Sequence, residues 1–499
     1  MARPRARFAR LGTARLSVSL PKAIMALAFL VGVSLALRTH AIHARFWIDE
    51  GLSVGISSHR LVDIPDVLRQ DGSPPLYYLL LNVWMHVFGS GEADTHAMSV
   101  AFALFTVPVA WVGARAMFGD RAAWIAALLA TLNPFLTYYA QETRMYTLVA
   151  LLSTVAASTF VVAFVQGRRR WLPVFGASLA LLVYAHNWGV FLGLGTVAAL
   201  VPIWRATTDR RALLRDAAIG YGVAVLLYLP WIPFFISQAR HTGAPWAEAP
   251  RLQDVLNGLS NLFGGPAPAM ALALAAGFGL STLLAAPRRS PRARAALALA
   301  VMAATALACA FVASQISPAW SNRYFATFLG PLLLLGAAGL ARGGRLGVVA
   351  VVILVAFWFN PRTGVLNSKS DAHTVSVLVR DRLEPGDMVV AVHPEQGPVK
   401  DPMVFDWRDA LDRLKDARPT PTEDALVRTL KPGQKLLAIF PIIRGARWGA
   451  PWTSEVRKRS AQWQRVLDRD KRLSRTLAAP VTEGKPLPKG VRAVLYERR

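Results

Sequence analysis

One cysteine, Cys309, stands alone in 499 residues, so no intramolecular disulfide and no cysteine zinc site can form. Charge is also scarce, at 17% of the chain against roughly 25% in ordinary soluble proteins. Acids are fewest: 30 Asp and Glu face 56 Lys and Arg, a formal net charge of +26. No GxxxxGK[ST] loop occurs, so the chain carries no P-loop for ATP. GxGxxG after a strand, HExxH and CxxC are missing as well. There is no internal repeat and no low-complexity tract.

Apolar residues make up 54% of the chain and gather in long runs. Such runs exclude a disordered chain and define a membrane protein. The basic clusters sit between the apolar runs, which points to anchoring at the cytoplasmic face and to no nucleic-acid partner. A basic tail, residues 1–22, precedes a first run at 23–37. It looks like a signal peptide's start, but no A-x-A cleavage site follows, so an uncleaved span is expected. Further runs lie near 97–114, 122–140, 146–166, 217–236, 268–286, 295–315 and 324–341. Residues 172–205, interrupted at His186-Asn187-Trp188, read as a hairpin of two spans. A last run, 346–359, is short for the roughly 20 residues a span needs, though Arg342 and Arg345 could snorkel. The expected architecture is an α-helical polytopic membrane protein of about eleven spans.

Alternate loops divide the basic residues. The side that includes the N-terminal tail holds 21 Lys and Arg, and the opposite loops hold 8. The tail side is therefore cytoplasmic. Two large segments face outward. The first, about 38–96, carries Asp49, Glu50, Asp63, Asp66, Asp71, Glu92 and Asp94, and its apolar stretch 75–88 suits the interface. The second, residues 361–499, turns polar. Strand-like runs at 388–393, 436–441 and 492–496 alternate with helix-like ones. A small extracytoplasmic α/β domain is expected there.

Three polar groups fall at one outer boundary: Trp47-Ile48-Asp49-Glu50-Gly51, Tyr139 to Tyr146 with Glu142 and Arg144, and Ser321-Asn322-Arg323-Tyr324. Singly, each has a plain reading. An acidic pair is often a solvated face, a lone Arg a lipid anchor, and His186 a structural turn residue. Together, acids and arginines at one depth are costly near a membrane and mark a site. Without a P-loop, energy must come from an ion gradient or from an already activated lipid-linked substrate. A proton-coupled permease or flippase would need ionisable residues along its spans, and most spans have none. A scaffold that binds a partner through the tail is the third class.

The chain resembles the GT-C glycosyltransferases that use polyprenyl-phosphate sugars. These include protein O-mannosyltransferases, lipid A aminoarabinose transferases and bacterial relatives of the rhizobial lipopolysaccharide transferases. The matching stretches are IDEGLS at 48–53, DGSPPLYYLLLNVWMHVFGSGE at 71–92 and LNPFLTYYAQETRMYTLVALLS at 132–153. LLVYAHNWGVF at 181–191, YLPWIPFFISQ at 228–238 and NRYFATFLGPLLLL at 322–335 follow in order. Ser73 stands where the bacterial relatives usually have a basic residue, and His96 where they usually have Arg.

The resemblance implies a plasma-membrane enzyme that moves a sugar from a polyprenyl phosphate to an acceptor hydroxyl on the outer face, with inversion. The acceptor would be a cell-envelope glycan, lipid or protein. Asp49 would be the general base, with Glu50 as the second catalytic acid. Arg144, Arg323 and His96 would bind the donor phosphate. Asp71, Tyr77, Glu142, Tyr146, His186 and Tyr324 would contact sugar or acceptor, and Tyr78 could join them. No cofactor is expected, because a monophosphate donor needs no nucleotide-diphosphate metal clamp; a divalent metal stays open.

Overall fold

The computed structural model describes residues 20–242, 244, 247–285, 290–359, 382–384, 386–391, 415–416, 427–443, 450–479 and 489–499. The basic tail before residue 20 lies outside them.

Each of the eleven expected runs is helical. In chain order they are α1 (Leu20–Thr39), α5 (Glu92–Phe118), α6 with α7 (Asp120–Leu132, Pro134–Tyr139), α8 (Tyr146–Phe160) and α9 (Leu172–Ala185). Then come α10 (Gly189–Ala206), α11 with α12 (Arg210–Tyr228, Ile232–His241), α14 (Pro266–Ala285), α15 (Pro291–Ile316), α16 (Ala326–Arg342) and α17 (Gly344–Trp358). Among the described residues, eight helical stretches are long and apolar enough to cross a membrane. The protein is a multi-pass membrane protein. The runs outside the eight are the ones with breaks or short lengths. Asn133 ends α6 and caps α7 by accepting the Leu136 N–H at 2.9 Å, with Pro134 in the first turn. The polar turn at 186–188 parts α9 from α10, as the sequence suggested. Large apolar side chains such as Phe29, Phe105, Leu226 and Phe357 point outward from the bundle, as a lipid-facing surface requires.

Small residues let the spans approach closely. A Cβ added to Gly279 of α14 would meet the Gly339 carbonyl of α16 at 1.9 Å, so only glycine fits this crossing. The two most deeply buried spans begin at Tyr146 and Asn322. The bundle's central helices therefore open onto the boundary where the polar groups gather.

Arg38 departs from its expected place in an outer loop. It is fully buried in the last turn of α1 and donates to the carbonyls of Ala103, Ala130 and Thr131, and to the Ser34 hydroxyl. Ala130 and Thr131 are in the last turn of α6, where the break before Pro134 leaves carbonyls without helical partners. The guanidinium satisfies that helix end.

The first outward segment holds α2 (Ile48–Ser57), α3 (Ile64–Asp71) and α4 (Leu76–Phe88). One further outer helix, α13 (Leu252–Leu262), has no counterpart among the expected runs. The C-terminal part contains a five-stranded sheet in the order β2-β1-β3-β5-β4. Its strands are β1 (Met388–Ala391), β2 (Lys415–Asp416), β3 (Lys435–Ile443), β4 (Leu473–Ala479) and β5 (Lys489–Arg498). β1 runs parallel to β2 and β3, and β5 pairs antiparallel with β3 and β4. Leu436, Ala438 and Phe440 alternate onto one face of β3, where Trp463 and Leu467 of α18 (Ala450–Arg469) join the same core. Lys415–Asp416 is a strand paired with β1. α18 stops at Arg469, because Asp470 binds the Arg472 guanidinium and backbone in a turn, and Leu473 starts β4.

Candidate active site

Asp49 lies in the first turn of α2. Its carboxylate accepts from Arg323 Nη1 at 2.5 Å, and Arg144 Nη2 stands 4.0 Å from the same oxygen. Arg144 also donates to the Asp49 carbonyl at 3.2 Å and to Ser53 Oγ at 3.0 Å. Ser53 is four residues on from Asp49, hence on the same face of α2. Three segments distant in sequence thus meet at one carboxylate.

Aromatic rings surround the two cations. Tyr146 lies between them, with the Arg144 and Arg323 guanidinium carbons 5.9 Å and 6.0 Å from its ring centre. Trp47 and Tyr324 flank Arg323 at 5.5 Å and 5.7 Å. His186 packs on Tyr324 with ring centres 4.6 Å apart. Burial, with Arg144 and Arg323 close by, pushes the His186 imidazole down to about 3. The ring is therefore neutral at ordinary pH. Its Nδ1 accepts the Trp188 N–H at 3.1 Å, which leaves the proton on Nε2.

Other expected residues lie close by. The Tyr78 hydroxyl is 3.5 Å from Asp71 Oδ2. Tyr77 is fully buried near Ser99, Arg144 and Glu50. Glu142 is buried beside Tyr138 and Tyr139.

Glu50 and His96 have a different setting from the one expected. Both are fully buried. Glu50 Oε1 faces His96 Nε2 at 2.7 Å and accepts the Thr143 N–H at 2.8 Å, while Oε2 accepts the Trp47 N–H at 3.2 Å. His96 Nδ1 meets the Ile42 carbonyl at 2.6 Å. Both ring nitrogens are thus engaged with protein groups. A phosphate contact through this ring would require breaking one of these bonds.

Sequence reading gave no role to Ser53, Trp47, Asn187 or Gln238. Asn187 donates to the Gly72 carbonyl at 3.0 Å. Gln238, buried in α12, donates to the carbonyls of Leu68 and Ser73 at 2.8 Å and 2.9 Å. Two amides, one from the turn at 186–188 and one from α12, thereby hold the chain around Asp71 and the prolines. Each lies inside a stretch that carried the resemblance, and an amide within such a stretch was the available signal. Among the described residues, no group of three or more His, Cys, Asp or Glu is arranged to hold a metal ion.

The comparisons bear out, at the level of fold, the resemblance read from the sequence. The family model described as dolichyl-phosphate-mannose-protein mannosyltransferase matches residues 72–234. ArnT from Cupriavidus metallidurans, solved in the apo state, superposes with a TM-score of 0.61 at 16% identity, over 84% of this chain and 93% of that one. ArnT bound to undecaprenyl phosphate gives 0.62 at 15% identity, over 95% and 98%. The archaeal oligosaccharyltransferase AglB from Archaeoglobus fulgidus, in complex with an inhibitory peptide and a dolichol-phosphate, gives 0.52 at 12% identity, over 84% and 69%. At these identities the likeness is one of fold. No curated protein sequence matches the chain.

Proposed function

We propose that this protein transfers a sugar from a polyprenyl-phosphate donor to an acceptor hydroxyl of a cell-envelope glycan, lipid or protein. The observation that carries the reading is the carboxylate of Asp49 held by Arg323 and Arg144 at the ends of the two central spans. An acceptor hydroxyl is a poor nucleophile until its proton is taken as the bond to the anomeric carbon forms. Asp49 is the base for that proton. The bond from the anomeric carbon to the phosphate oxygen breaks, and the polyprenyl phosphate leaves with the electron pair. Arg144 and Arg323 stabilise the charge that it gains. One displacement inverts the anomeric configuration.

Tyr146, Tyr324 and His186 supply the sugar-facing wall, with His186 Nε2–H as a donor to a hydroxyl. Asp71, Tyr77 and Glu142 complete the sugar and acceptor contacts. The asymmetry of the loop charges supports a centre on the outer face of the plasma membrane. ArnT bound to undecaprenyl phosphate shares the fold, which supports a lipid monophosphate as leaving group.

The test is transfer by the purified protein in lipid nanodiscs, with a radiolabelled polyprenyl-phosphate sugar and envelope extract as acceptor. Label should leave the lipid fraction as polyprenyl phosphate accumulates. No transfer, together with movement of the labelled lipid across vesicles containing the protein, would make it a transporter.

A further inference from the structure

Glu50 joins four segments without facing a solvent-open surface. Its carboxylate accepts from Trp47 in its own helical turn, from Thr143 in the loop after α7, and meets His96 at the start of α5. Through His96 it reaches Ile42, after α1. A carbonyl oxygen only accepts, so His96 Nδ1 must carry the proton of the Ile42 bond. At 2.7 Å, His96 Nε2 and Glu50 Oε1 cannot both present lone pairs. One further proton therefore lies between them. That proton lets a single carboxylate oxygen serve the His96 ring and the Thr143 amide at once.

Glu50 is the immediate neighbour of Asp49, and Thr143 of Arg144. Resting on the roles given above to Asp49 and Arg144, we propose that Glu50 and His96 are a paired positioning device. The pair fixes the distance between the base and the arginine on the facing loop. Neither residue touches the reacting atoms. A displacement of about 1 Å between groups that must act together can cost on the order of 100-fold in rate. Glu50 links Asp49's helical turn directly to the Thr143 amide.

Two measurements test this. The first is steady-state transfer by Glu50→Gln, His96→Phe and the double variant. Each single variant should lower kcat by about 10- to 100-fold with little change in donor KM, and the double should lose no more than either single. His96→Gln keeps a donor toward Glu50 and should recover most of the loss. Near-normal kcat in His96→Phe beside a collapse in Glu50→Gln would overturn the proposal, because Glu50 would then act on substrate directly. The second is hydrogen exchange of the full-length protein in nanodiscs. Peptides covering 41–50 and 140–146 should exchange faster in both single variants, with α14 and α15 unchanged. Unchanged exchange at 140–146 would overturn the device. Faster exchange there, in a wild type that transfers nothing from a polyprenyl-phosphate sugar, would leave the device standing and remove the donor assignment instead.

Discussion

The Arg323 guanidinium donates to the Asp49 carboxylate across 274 positions of sequence, and Arg144 approaches the same oxygen at 4.0 Å. In the structure Asp49 thus supplies the anion between two cations. In the proposed reaction the donor phosphate takes the same partners. Its arrival would draw Arg323 toward the phosphate and release the carboxylate to accept a proton. Donor binding and activation of the base are then one event.

Asp49→Asn tests the base directly. The amide keeps the size of the carboxyl but does not take a proton at neutral pH. Turnover should fall by at least about 100-fold, the lower scale for a general base. Affinity for undecaprenyl phosphate should hold or tighten, since Arg323 loses its resident anion. Titration of the lipid phosphate and single-turnover transfer give both numbers. Near-normal turnover would pass the role to Asp71.

Arg144→Ala and Arg323→Ala should each weaken lipid-phosphate binding by about 10- to 100-fold, the scale of one hydrogen bond to a charged group. Lysine should restore only part, because it keeps the charge and loses the planar fork. The double variant should lose less than the two singles combined, since both act on one phosphate. Affinity normalised to folded protein is the readout. Unchanged affinity in both single variants would make them lipid anchors.

Gly258 of α13 lies against the Phe325 ring, where an added Cβ would sit 2.1 Å from a ring carbon. Phe325 is fully buried two residues after Arg323. Gly258→Ala should therefore displace the segment carrying Arg323, raising the donor KM several-fold while the protein still inserts. A donor titration measures it. An unchanged KM would show that the ring turns aside without moving the arginine.

The side of the membrane taken by the tail follows from the loop charges and from α17. A reporter active only in the cytoplasm, fused after Arg499, should be silent, and one active only outside should give signal. The reverse pattern would remove α17 as a span and put the sheet inside.

The spans were legible because each needs a long apolar run, and the hairpin because His186-Asn187-Trp188 interrupts one. The meeting of Asp49, Arg144 and Arg323 was legible only as a shared depth. Depth comes from position within a run, whereas the contact depends on how helices pack. The pairing of Glu50 with His96 was not legible, because sequence alone does not distinguish a buried carboxylate from an exposed one. Strand β2 escaped because two residues at a sheet edge take their conformation from the neighbouring strand rather than from an alternating pattern.

The last expectation concerns His186. Burial, aided by Arg144 and Arg323, brings its imidazole down to about 3, against an ordinary value of 6.5. The folded value lies below the unfolded one, so the unfolded chain takes up a proton first as pH falls. The stability gained by keeping the ring neutral is complete above about 6.5 and is lost progressively toward 3. At pH 5 the loss is about 2 kcal/mol. The unfolding midpoint of the wild type should therefore fall between pH 7 and pH 5. His186→Gln should start lower at pH 7, having lost its packing on Tyr324, and fall less steeply. Between pH 5 and 8 the ring stays neutral in the folded protein, so the variant should transfer more slowly with an unchanged pH–rate shape. An inflection in that range that disappears in His186→Gln would show a charged imidazole at work, and His186 would then belong with the phosphate-binding cations rather than with the sugar wall.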